Sequence, residues 1–210
     1  MAPLPDYLRD PAAIYERSFA IIRGETDLSR FPGVMAEVAL RVIHACGMPD
    51  IAADLVFSAG AAEAGRAALA AGRPVLADAR MVAEGVIGRR LPAGNPVLCS
   101  IDNPRAAILA RETRTTRSAA AVTLWQDRLQ GAVVAIGNAP TALFRLLELV
   151  ADGAPRPALV LGFAVGFVGA AEAKEALIAS GLPHIAVTGR RGGSAMAAAA
   201  VNALVGGERR

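Results

Sequence analysis

Two histidines, His44 and His184, are the scarcest groups in this sequence able to move a proton near neutral pH. His44 stands in Val42-Ile43-His44-Ala45-Cys46-Gly47, in the last turn of a predicted helix. There the negative end of the helix dipole favours a charged imidazole, which suits a general acid; a plain structural role is the alternative for a lone histidine. His184 follows Pro183 at the start of a predicted strand, the end away from where open α/β sheets bind ligands, and it reads as structural. Familiar catalytic templates are missing. The sequence has no H-E-x-x-H or C-x-x-C for a transition metal, no G-x-S-x-G nucleophile, and no G-x-x-x-x-G-K-[ST] phosphate loop.

Three glycine-bearing stretches could receive anions. They are Ile136-Gly137-Asn138-Ala139-Pro140-Thr141, the run from Gly162 to Gly169, and Thr188-Gly189-Arg190-Arg191-Gly192-Gly193-Ser194. Each joins a predicted strand to a predicted helix, so backbone amides at a positive helix end face the ligand side of the sheet. Tight turning alone would also explain any one of them, but three in one chain read as an anion-binding surface. A fourth stretch, Thr113-Arg114-Thr115-Thr116-Arg117-Ser118, gathers hydroxyls and guanidiniums before a predicted helix, where capping is the plain explanation.

The elements that must hold these groups follow from pattern. A helix runs from Pro11, capped by Asp10, to Gly24; a second starts near Ser29 or Pro32 and ends at Cys46 before Gly47 and Pro49; a third spans 61–71. From Pro74 onward, short apolar runs at 75–77, 97–101, 132–136, 158–162 and 185–188 alternate with helical segments at 80–87, 105–112, 118–129, 141–150, 170–180 and 194–204. Such runs are buried parallel strands with helices on both faces. The expectation is an α/β fold: a three-layer α/β/α sandwich with a mainly parallel sheet of about five strands and a helical N-terminal third. No linker divides the chain, so 1–210 reads as a single domain, with loose ends at 1–5 and 206–210.

Composition narrows the function. The chain of 210 residues is 54% hydrophobic but 4% aromatic, and Lys174 is its sole lysine, so arginine carries nearly all the positive charge. Base composition of the genome explains much of that, while arginine also suits bidentate carboxylate or phosphate pairing. A net charge of +3 without interleaved aromatics is too weak a footprint for nucleic acid. No uncharged run is long and unbroken enough to span a membrane, and the start of the sequence shows no secretory pattern. Cys46 and Cys99 make neither a disulfide framework nor a metal cluster, and a cytoplasmic home is expected.

Six ordered blocks then carry a resemblance. They are Tyr15-Glu16-Arg17-Ser18-Phe19, the His44 block, Thr116-Arg117-Ser118-Ala119-Ala120, Ile136 to Leu143, Gly166-Phe167-Val168-Gly169-Ala170-Ala171-Glu172, and Gly192-Gly193-Ser194-Ala195-Met196. Together they resemble the precorrin-8X methylmutase family. The resemblance implies a homodimeric isomerase of cobalamin biosynthesis that shifts a methyl group from C11 to C12 of a corrin precursor, giving hydrogenobyrinic acid, without metal, nucleotide or redox cofactor. It implies that His44 is the catalytic general acid. Binding of the carboxylate-fringed tetrapyrrole is expected at Arg17, Ser18, Thr116, Arg117, Ser118, Asn138, Ala139, Pro140, Thr141, Gly192, Gly193 and Ser194. Arg80 is expected to touch a carboxylate, with a solvated i,i+4 pair to Glu84 as the alternative. Three other functions stay open: a cobalt-precorrin-8 methylmutase, a non-catalytic corrinoid carrier, and a nucleotide-binding α/β protein.

Overall fold

A computed structural model describes Leu4 and residues 6–206; the ends read as loose lie outside these residues except for Leu4 and Gly206. Six strands form one sheet: β1 (Leu55–Phe57), β2 (Val75–Ala77), β3 (Val97–Leu98), β4 (Val133–Ile136), β5 (Leu159–Gly162) and β6 (His184–Val187). Their order is β1-β6-β5-β4-β2-β3, parallel except for β1, which runs antiparallel to β6. Every residue of β2, β4, β5 and β6 is buried, so these strands read as continuous apolar runs with no alternation.

The expected sandwich is present, with one strand more than anticipated. That strand, β1, lies within the third of the chain read as helical. Leu55-Val56-Phe57 is too short to show a period, and it becomes a strand because it lines the edge of β6, with Ser58 N–H donating to His184 O and Thr188 N–H to Asp54 O.

Helices α2 (Val34–Cys46), α4 (Ala61–Ala70), α5 (Arg80–Gly85) and α10 (Ser194–Leu204) cover one face, packing on Val75, Ala77, Val133, Ala135, Leu159 and Leu161. Helices α7 (Arg117–Thr123), α8 (Pro140–Ala151) and α9 (Ala170–Ala179) cover the other, over Leu76, Val134, Ile136 and Val160. Opposite faces are served by alternate residues of each strand, as the pleat requires. The segment expected as one helix from Ser118 to Leu129 instead stops at Thr123 and resumes as a single 3-10 turn at Gln126–Arg128, which lets Trp125 turn into the core.

Alanine-rich α10 carries Ala197, Ala200 and Ala203 in the core beside α2, and such small side chains permit close approach of two helix backbones. Helix α1 (Pro11–Glu25) lies outside α2, α3 (Ile51–Asp54) follows it, and α6 (Pro104–Glu112) lies against α7. No helix among the described residues is long and apolar enough to cross a membrane.

Candidate active site

Two helix ends place the proton-carrying group. Asp10 accepts from Ala13 N–H at 2.8 Å and Pro11 opens α1, fixing its start. Gly47 ends α2 in the left-handed conformation with its N–H on Ile43 O. Where these helices meet, Ser18 Oγ lies 2.8 Å from His44 Nδ1. The rings of Tyr15 and Phe19 each stand 5.4 Å from the exposed imidazole, centre to centre. Ser18, Ile22, Ile43, His44, Gly47 and Pro49 line an open cavity of about 200 Å³. On the flank bearing Tyr15 and Phe19, a wider groove of about 670 Å³ includes Arg23 and Arg41, whose guanidiniums lie over Phe19.

His44 belongs to the carboxyl end of the sheet, where ligands of open α/β folds bind. After Gly47 the chain forms α3 and enters β1 at Leu55, which pairs with Val187, the last residue of β6. Arg191, just beyond β6, reaches back to this corner, donating to Asp50 Oδ2 at 2.5 Å and to Asp54 Oδ2. His184, by contrast, is buried at the opposite end of β6 with Nδ1 on Leu182 O, as its structural reading requires.

The loops after β4, β5 and β6 are locked together. Phe163 N–H donates to Ile136 O, Gly166 N–H to Arg190 O, and Gly193 N–H to Phe163 O. Contact is close enough to demand glycine. A Cβ on Gly192 would sit 2.3 Å from Phe163 O, and one on Gly137 would sit 2.8 Å from Ser194 Cα. Beneath them Lys174, fully buried, donates from Nζ to Arg191 O at 2.6 Å; burial lowers its pKa to about 8, against the opposing charge of Asp54.

One expectation fails here. The amides of Gly137, Asn138 and Ala139 were read as free to bind a ligand anion, but Asp78 takes all three, at 2.9, 3.0 and 2.7 Å. Asp78 follows β2 directly, at the point where the strand order turns from β2 outward in both directions, so the protein's own carboxylate fills that nest. Burial pushes its pKa up, and the three amide bonds work against that rise. A carboxylate immediately after a buried strand is the signal the sequence carries for this contact.

The remaining candidates divide into groups. Thr116 and Thr141, at the starts of α7 and α8, are joined through their hydroxyls at 2.7 Å, and Thr116 also caps α7 through Ala119 N–H. Arg80 does meet carboxylates, but protein ones: Asp102 at 2.5 Å and Glu84 at 3.8 Å. Asp102 had no signal in sequence, because Arg80 opens α5 and Asp102 lies in the turn after β3, 22 positions away. Arg17 and Arg117 are exposed and form no ion pair among the described residues, which leaves their charge available to a ligand. Asn138 is exposed, Ser118 half-buried, Pro140 opens α8 and Ser194 opens α10.

The precorrin-8X methylmutase family model matches residues 13–206. A precorrin-8X methylmutase of Pseudomonas aeruginosa is 61% identical over 201 residues, covering 95% of this chain and 97% of that protein. A cobalt-precorrin-8 methylmutase of Salmonella typhimurium is more distant, 40% identical over 208 residues and covering 95% and 96% respectively. Among solved structures, a precorrin-8X methylmutase from Thermus thermophilus superposes with a TM-score of 0.84 at 44% identity, covering 92% of this chain and 94% of that one.

Proposed function

Because the chain belongs to the precorrin-8X methylmutase family, an isomerase family of cobalamin biosynthesis, we propose that it moves a methyl group from C11 to C12 of precorrin-8X to give hydrogenobyrinic acid, with His44 as general acid. The pairing of Ser18 with His44 carries this reading. With Nδ1 held by Ser18, the imidazolium presents Nε2–H to the macrocycle. Protonation draws electron density from the ring carbon bearing the methyl group and eases a suprafacial 1,5-shift; the proton returns afterwards, so nothing is oxidised or reduced. Tyr15 and Phe19 supply apolar surface beside the donor, and the exposed Arg17 and Arg117 support the reading as receptors of peripheral carboxylates.

Metal-free substrate is favoured over the cobalt form because identity to the metal-free enzyme is much the higher of the two. A second copy of the chain suits α1, which leaves Ile14 and Ile21 exposed; the active unit is a cytoplasmic homodimer of one methylmutase domain per chain.

The test is the visible spectrum of purified protein mixed with precorrin-8X and, separately, with its cobalt form. Conversion of the first that disappears in His44→Ala, while hydrogenobyrinic acid still binds, is the expected result. Turnover of the cobalt form alone would overturn the substrate assignment. Binding of product with no turnover by the wild type would mark a carrier, and undiminished turnover by His44→Ala would remove the acid role.

A further inference from the structure

Phe167 and Val168 stand at the tip of the loop between β5 and α9 and are 86% and 89% exposed, more than any other large apolar side chain among the described residues. Phe163 and Ala164 at the base of the same loop are fully covered, so within this loop exposure rises from the base towards the tip. The Arg190 guanidinium lies 5.4 Å from the centre of the Phe167 ring, and Gly166 N–H donates to Arg190 O, so side chain and backbone both tie the tip to the loop after β6. The next residue, Arg191, turns the other way and grips Asp50 and Asp54 at the two ends of α3, the short helix that follows the one carrying His44. Two adjacent arginines thus form a strap from the His44 corner to the aromatic tip, on the carboxyl end of the sheet.

We propose that Phe167, Val168 and Arg190 form a second wall of the substrate site, the two apolar side chains lying against the macrocycle and the guanidinium receiving one of its peripheral carboxylates. This inference rests on the function proposed above and adds the specificity element to it. Arg190 makes no ion pair among the described residues, so the tip offers an unneutralised cation beside bare apolar surface. That combination matches an apolar ring fringed with carboxylates. Arg190 and Phe167 come from loops already bound to each other, so little ordering is needed when ligand arrives.

Full-length Phe167→Ala, Val168→Ser and Arg190→Gln proteins test this by spectral titration with hydrogenobyrinic acid, by KM and kcat with precorrin-8X, and by sedimentation. These side chains are exposed, so folding is not at stake. Phe167→Ala and Arg190→Gln are each expected to raise the product Kd and the KM by about tenfold, with a far smaller fall in kcat than His44→Ala gives. Phe167→Tyr, which keeps the ring, is expected to restore affinity, and added salt is expected to weaken the wild type more than Arg190→Gln. Unchanged Kd and KM in both variants would overturn the proposal. So would a loss of affinity that accompanies dissociation of the protein into smaller species, which would assign the tip to contact between copies. Failure of the wild type to bind or convert either substrate is a different outcome and would defeat the proposed function itself.

Discussion

The hydroxyl of Ser18 and Nδ1 of His44 stand 2.8 Å apart across the junction of α1 and α2, joining two residues 26 positions apart in sequence. This bond engages Nδ1 and leaves Nε2 as the ring nitrogen open to a ligand. Replacing Ser18 by Ala should cost one such bond, lowering kcat by about tenfold, whereas His44→Ala should lower it by at least about a hundredfold, the scale of a lost general acid. Equal losses in steady-state assays of the two variants would show that Ser18 does more than orient the ring.

Asp78 is the keystone of the loop after β4. Asp78→Ala should leave one buried and two part-buried N–H groups facing an empty space and lower stability by about 3 kcal/mol, seen as a fall in the urea midpoint. A small carboxylate can occupy that space. Formate in the millimolar range should therefore raise the Tm of Asp78→Ala more than that of the wild type, and equal shifts would argue that the nest does not survive the substitution.

Lys174 gives a pH signature. Its folded-state pKa of about 8 lies below the ordinary 10.5, so between those values the unfolded chain holds the extra proton and stability rises with pH. Burial of the charged form costs most below that window and nothing above it. The Tm of the wild type should accordingly improve relative to Lys174→Met as pH is raised from 8 to 10.5, and a constant difference would mean that the ammonium is not desolvated in the folded protein.

Gly192 has no room for a side chain. A Cβ there would lie 2.3 Å from one backbone oxygen and 2.7 Å from another, and neither can rotate away. Gly192→Ala should cost about 3 kcal/mol in denaturant unfolding and weaken product binding as the loops after β5 and β6 part. Full retention of both stability and binding would refute the tight seam between those loops.

Much of the architecture was legible because burial dictates composition. Strands β2, β4, β5 and β6 are covered on both faces, so each appears as an unbroken apolar run; β1 was missed because three residues at a sheet edge carry no period and depend on β6 for their hydrogen bonds. The end of α2 was legible from Gly47 and Pro49, and with it the place of His44 in the last helical turn. Asp78 was not: a charged residue after a strand reads as solvated, and only the fold shows it turned inward onto three amides.

Local chemistry in the sequence therefore determined the sheet, the helix that carries His44, and the arginine-rich, aromatic-poor character of the chain. Tertiary structure alone decided which groups meet: Ser18 with His44, Asp78 with the loop after β4, Arg191 with Asp50 and Asp54, Arg190 with Phe167. The physical reason is range. Helix and strand formation depend on neighbours a few residues away, whereas a hydrogen bond or ion pair between distant residues exists only after packing has brought their elements together.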